Sequence, residues 1–181
     1  TQHKAMLNTP FGHVSVDSLR GNVFLLANNG QGLEEISNHG MRNWFKENLP
    51  FQINRYFPEV NIDNSFNGIG LSMVYDNRFN CFYITKLDYI PTRDDIVYDG
   101  ENFLLTNNVL DLKDTRYFSS KCWTLSYNFH TKSWMSFHSF LPNYYIENID
   151  NFDSGISNGV WKHSVTNKSF QTYYGKKYPF I

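Results

Sequence analysis

The chain has 181 residues, a formal charge of -1, and an aromatic share of 18% that equals its charged share. That length buries a core without needing disulfides or metal. The near-zero charge argues against electrostatic capture of nucleic acid or of an anionic membrane surface, and no apolar run approaches the roughly 20 residues that span a bilayer.

In chain order, 1–10 reads as a polar lead-in that frays, and 11–181 as one β-rich domain. Strands are expected at His13–Asp17 and Val23–Ala27, from alternating apolar and polar residues. The 28–32 stretch, NNGQG, is dense turn signal. Leu33–Ser37 suits strand and helix equally. One short helix is expected near 38–49, capped by Ser37 or Asn38 and ended by Pro50, with Met41, Trp44, Phe45 and Leu49 on one face. A three-turn helix is marginal alone, so Trp44 and Phe45 are read as docking groups.

The 51–70 stretch has no clean period. A second hairpin follows, Leu71–Asp76 and Cys81–Thr85, then a Pro- and Asp-rich excursion over 88–100, a strand within Glu101–Thr106, and a polar stretch over 107–120. Insertions are thus placed near 38–70 and 88–120. The clearest hairpin is Cys122–Tyr127 with Ser133–Phe137. Tyr144–Asn148 reads as the segment beyond a Pro142-Asn143 turn, 150–158 as turns, and Gly159–His163 with Ser169–Tyr173 as a closing strand pair.

Three hairpins, SVDSLRGNVFLL, VYDNRFNCFYIT and SYNFHTKSWMSF, share a plan. Each enters through Val16, Tyr75 or Tyr127, then places Asp17, Asp76 or Asn128 at the turn, where a side-chain oxygen can accept a backbone N–H two residues on. Those turn residues stand 59 and 52 apart, somewhat more than the roughly 40–50 of a propeller blade. The expected fold is mainly β: antiparallel, blade-like hairpins forming a β-propeller or part of one, with an ordinary sandwich as the rival. At about 40 residues a blade, three or four fit, near or below the minimum for ring closure. Missing blades would come from a longer chain or a partner, and the ends of the sequence look cut from something longer.

Chemistry-bearing motifs are sparse. Cys81 and Cys122 have no metal or redox spacing and read as buried thiols, with a disulfide open if their strands are adjacent. The histidines form no zinc spacing. His130 and His138, on one strand, would stand roughly 26 Å apart. Asp94, Asp95 and Asp99 suit turns better than a carboxylate pair, and the Asp150–Gly155 stretch lacks the ligand pattern of a calcium loop. Asn167-Lys168-Ser169 is a glycosylation sequon of the kind that occurs by chance. No catalytic residue set, metal site or cofactor is assigned, and the expectation is a non-enzymatic protein. Trp123, Trp134 and Trp161, with Tyr144 and Tyr145, are either core and interface aromatics or a platform for sugar rings. Burial of Trp123 and Trp134 would favour the first, and coplanar exposed rings the second.

Four segments carry a resemblance: GLEEISNHGMRNWFKENL, LSMVYDNRFNCFYIT, CWTLSYNFHTKSWMSFHSFLPNYY and SGISNGVWKH. Between about Gly12 and Trp161 their phrasing and order resemble the tail stabilisation (muzzle) proteins of crAss-like bacteriophages, and the wider podovirus tail nozzle proteins. The resemblance implies a structural virion protein assembled in the host bacterial cytoplasm into a ring below the portal. Its partners would be copies of itself and neighbouring tail and portal proteins. The alternative is a carbohydrate-binding β module of a tail or a secreted lectin, with a surface glycan as ligand; a glycan hydrolase is a third, weaker option.

Overall fold

The computed structural model describes residues 5–28, 30, 32–156, 159–163 and 172–177. The first sheet is an antiparallel meander of β1 (Met6–Thr9), β2 (Gly12–Asp17), β3 (Asn22–Ala27) and β4 (Leu33–Glu35). Leu7, Val14, Val23 and Leu25 alternate onto its buried face, the period-two pattern of a half-covered sheet. The lead-in is therefore not frayed from Ala5 onward. Leu7 is buried, and the Thr9 hydroxyl closes the β1–β2 turn by donating to the Gly12 carbonyl and accepting the Phe11 and Gly12 amides. Gly12 has φ +149°, and a Cβ there would meet the Leu26 carbonyl at 2.2 Å, so only glycine fits.

The expected helix near 38–49 is shorter. Ile36–Asn38 forms a separate 3-10 turn, Gly40 takes φ +78°, and α1 spans Arg42–Asn48. The left-handed glycine breaks the spiral before it can join the earlier turn. With seven residues, α1 has no stability of its own. It is held through Phe45 and Leu49, both fully buried.

The second sheet begins with the hairpin β5 (Gly70–Asp76) and β6 (Cys81–Leu87). The chain then leaves on an excursion that is more structured than its polar sequence implies. It holds β7 (Tyr89–Pro91), a small sheet of β8 (Val97–Tyr98), β9 (Phe103–Leu105) and β10 (Asn108–Val109), and β11 (Phe118–Ser120), which pairs back onto β7. The chain returns as β12 (Trp123–Asn128) and β13 (Ser133–His138), giving the order β5-β6-β12-β13. Cys81 pairs across from Asn128, at the end of β12 remote from Cys122, and both cysteines are free thiols.

A third sheet comprises β14 (Tyr144–Glu147), β15 (Phe152–Ile156) and β16 (Gly159–Lys162). Most of Ser169–Tyr173, the partner expected for Gly159–His163, falls outside the described residues, while β16 pairs with β15, which lies in the stretch read as turns. Asp153 and Gly155 disguised that strand; Phe152 and Ser154 bury one face and Gly155 makes room for the Tyr144 ring. Residues 164–171, with the sequon at 167–169, lie outside the described residues. A two-stranded hairpin, β17 (Thr172–Tyr173) and β18 (Lys176–Lys177), ends the described chain.

The architecture is thus mainly β and antiparallel, with one α-helix among the described residues and no sheet closed into a barrel. Within it the three-hairpin repeat needs correction. Asp17 ends β2 in the first sheet, but Asp76 and Asn128 both belong to the second, after β5 and after β12. The 59- and 52-residue spacings therefore do not count blades, because turn chemistry is local and recurs at any hairpin.

One buried polar cluster ties these parts together. Lys86 on β6 is 1% exposed and Asp88 is 0% exposed. The Lys86 ammonium donates to the Asp88 carboxylate (2.7 Å) and to the carbonyls of Asn48 (2.8 Å) and Pro50 (2.9 Å). The carboxylate also accepts the amides of Gln52 (2.8 Å), Ile53 (3.1 Å) and Tyr89 (3.0 Å). Three donors and four acceptor positions are filled. Burial pulls the Lys86 ammonium down from the ordinary lysine range, and the Asp88 carboxylate opposes that pull. Replacing one member of such a pair leaves an uncompensated buried charge. Asp88→Asn is expected to cost about 3–5 kcal/mol, read as a lower urea midpoint at unchanged m-value; a loss below about 1 kcal/mol would show that the pair does not hold the connector.

Candidate functional site: the aromatic seams between sheets

The first seam joins the first sheet, α1 and the second sheet. Its centre is Tyr127, with Trp134 at 5.0 Å, Phe82 at 5.6 Å and Phe129 at 5.7 Å between ring centroids. Trp134 lies 4.6 Å from Phe45 of α1, and its indole N–H donates to the Ile36 carbonyl at 2.9 Å. Trp123 and Trp44 meet edge to face at 5.0 Å, and the Trp123 N–H reaches the Asn48 carbonyl at 3.3 Å. Phe11 stacks on Phe129 at 4.6 Å and stands edge-on to Tyr75. Burial, with the charge of Glu34, pushes the Tyr127 phenol up to about 12; its hydroxyl is 3.0 Å from His39 Nδ1. The polar atoms of Trp123, Trp134, Tyr127 and Tyr75 each have a partner, which lets rings of this size be buried.

The seven singled-out aromatics therefore divide. Phe45, Tyr75, Trp123 and Tyr127 are buried, and Trp44 and Trp134 are half-buried in the same seam. Trp161 is different: it lies on β16, is 39% exposed, and meets Tyr174 edge-on at 5.7 Å. The rings do not form one coplanar exposed platform.

The second seam lies between the second and third sheets. Tyr83 contacts His138 (5.0 Å) and Phe152 (5.1 Å), and His163 stacks on Phe152 at 4.4 Å. Hydroxyls run through it: Thr85 bonds to Thr124 (2.7 Å) and to the Tyr145 phenol (2.6 Å), and Thr124 donates to the Phe140 carbonyl (2.6 Å). His138 Nε2 is 2.9 Å from Ser126 Oγ, and His163 Nε2 bonds to Ser154 Oγ. Burial pushes the phenols of Tyr83 and Tyr145 well above the ordinary tyrosine range and lowers both imidazoles to about 4. For His163, the nearby Asp153 opposes that shift in part. Ser154 beside His163 is fully buried, and its hydroxyl is taken up by His163 and the Tyr174 phenol.

The turn residues perform local work. Asn128 Oδ1 accepts the amides of His130 and Thr131, and its amide donates to the Phe79 carbonyl, tying the β12–β13 turn to the β5–β6 turn. Asp76 accepts the amide of Arg78, two residues on; Asp17 accepts that of Arg20, three residues on. Asp95 is paired with Arg93, and Asp99 accepts the amides of Glu101 and Asn102, so these carboxylates belong to turns. Among the described residues no group of three His, Cys, Asp or Glu side chains is placed to hold a metal.

Lys86, Asp88 and the hydroxyl ladder of the second seam were missed from sequence. One signal was available: YITKLDY places a Lys and an Asp inside an otherwise apolar and aromatic strand, where an ionisable residue faces inward only with a partner. No protein-family model and no curated protein sequence matches the chain.

Two predictions follow from the seams. Trp134→Ala removes a ring packed on three aromatic neighbours and is expected to cost about 3–5 kcal/mol; an unchanged urea midpoint would place the ring outside the core. The two imidazoles give a pH signature. Their pKa falls from about 6.5 unfolded to about 4 folded, so the unfolded chain takes up protons first on acidification. Stability is expected to be full above pH 6.5, to fall towards pH 4, and to stay reduced below it, by roughly 2–3 kcal/mol per imidazole. His163→Gln should flatten this slope in urea titrations at pH 7, 5.5 and 4; an unchanged slope would overturn the assignment.

Proposed function

We propose that this chain is a structural component of a bacteriophage tail, a tail stabilisation or muzzle-type protein that works by protein–protein packing rather than by turnover. The observation that carries the reading is where the aromatic mass goes. Three of the four tryptophans are spent on seams between sheets, while the three main sheets present Leu26, Leu33, Met135, Phe137 and Val160 to solvent. A protein whose task is to be built into an assembly needs rigid wedges and apolar outer faces. The resemblance of the four segments to muzzle and nozzle proteins points the same way.

The arrangement also supports a propeller-like reading. Two four-stranded meanders and one three-stranded meander follow one another, the second interrupted by the 88–122 excursion. The first strands of the outer two, β1 and β14, both pack against β5, the first strand of the middle one. First strands gathered together and later strands fanning outward is how blades surround an axis. The chain then supplies part of such a ring, and neighbours in the virion supply the rest through contacts that close by rotation. The carbohydrate-module reading based on Trp123, Trp134, Trp161, Tyr144 and Tyr145 has less support, because the first two lie in a seam and Tyr145 is hydrogen-bonded to Thr85.

Immunogold electron microscopy of particles of the virus that encodes the chain is expected to label the tail below the portal. Particles free of label, with the protein recovered from the soluble fraction, would overturn the reading. Met135→Asp, on the exposed outer strand, is expected to cut incorporation into particles at least tenfold while changing domain stability by less than about 0.5 kcal/mol; normal incorporation would exclude the β13 edge from assembly contacts.

A further inference from the structure

One cleft belongs to neither seam. It has a volume of about 360 Å³ and lies between the 60–69 connector, the excursion and Asn143, within the size range of small-molecule sites. Its walls are unusually rich in amides. Asn64 precedes the 3-10 turn Ser65–Asn67, where an Asn side chain ordinarily caps, yet it makes no capping bond. Asn67 and Asn102 line the same cleft with side-chain amides that have no hydrogen-bond partner among the described residues. At its mouth stands Phe66, 62% exposed. That ring is backed by Tyr144 at 5.5 Å, and its carbonyl is held by the Asn143 amide at 2.9 Å.

The charges narrow the ligand class. Glu101 and Asp111 face a single lining cation, Lys113, so an anion meets a net negative wall. The lining mixes amides with apolar side chains such as Ile69, Leu110 and Leu112, and this disfavours a purely apolar ligand, since the amides would lose water without gaining partners. Spare amides and carboxylates beside a fixed aromatic face are the chemistry that recognises vicinal hydroxyls above an apolar sugar face. We infer that this cleft binds a neutral saccharide, its ring against Phe66 and its hydroxyls on Asn64, Asn67 and Asn102. The site is separate from the tryptophans of the seams, and it does not depend on the tail assignment.

The test is saturation-transfer NMR on the full chain with glucose, galactose, mannose, N-acetylglucosamine, rhamnose, lactose and, as an anionic control, sialyllactose. At least one neutral sugar is expected to show transfer, and sialyllactose to bind no better than lactose. Phe66→Ala and the double variant Asn67→Ala/Asn102→Ala should each weaken binding about tenfold with unchanged unfolding midpoints, since Phe66 and Asn67 are exposed and Asn102 only half-buried. Absence of transfer from every sugar, transfer undiminished in the variants, or preference for sialyllactose would each overturn the assignment.

Discussion

The connector between the first two sheets has almost no regular structure to hold it. Between β4 and β5 lie one seven-residue helix and short 3-10 turns, whose end carbonyls and amides have no partners of their own. Lys86 and Asp88 supply them. The ammonium takes the carbonyls of residues 48 and 50 at the C-terminal end of α1, where a cation also meets the favourable end of the helix dipole. The carboxylate takes the amides of residues 52 and 53. The same two residues are the end of β6 and the start of the excursion, and the Asp88 carbonyl accepts from the Lys121 amide and the Cys122 thiol on the strand returning towards β12. Four segments meet at one ion pair. An isolated buried pair is often no better than an apolar substitute; what this pair adds is a single geometry for a chain junction that apolar contacts alone would leave sliding.

Around that junction the two seams solve different problems. The first uses ring upon ring, with indole N–H groups spent on the carbonyls of Ile36 and Asn48, so the rings orient the connector as well as filling space. The second is narrower and threaded with hydroxyls, and the Thr124–Thr85–Tyr145 run fixes the third sheet against the second. Apolar burial is non-directional, whereas hydrogen bonds between sheets admit one alignment. The two histidines extend this logic as neutral partners of Ser126 and Ser154.

The hairpins at 12–27, 70–87 and 123–138 were legible because alternation over six or seven residues leaves little choice of structure. The turn residues were legible for the same local reason, and that locality is what misled the repeat: Asp76 and Asn128 look like copies of one unit, yet their hairpins lie side by side in one sheet. Sheet membership is a long-range property that a 35-residue excursion hides. β15 was hidden by Asp153 and Gly155, turn formers in isolation, which here face a sheet partner and a tyrosine ring. The helix start was displaced by Gly40, whose positive φ no periodicity reveals. Of the cleft only its composition was visible, as a scatter of asparagines over 61–67 and 102–108; a scatter becomes a site only when the excursion folds back over the connector.

That fold-back bears on how a scaffold acquires surface chemistry. The sheets have little room to vary, since their inward side chains are committed to the seams. The 60–69 end of the connector and the excursion lie outside both seams; Lys86 and Asp88 pin the chain at their roots, and between short strands they turn on Asp and Asn side chains that satisfy their own backbone. Such segments can change their outward residues at small cost to the core. Anchoring both to one buried ion pair keeps their facing walls in register, so groups more than thirty residues apart in sequence, Phe66 and Asn102 among them, stand across a single cleft. Rigidity in the seams is therefore what permits a defined recognition surface on segments whose own strands are only two or three residues long.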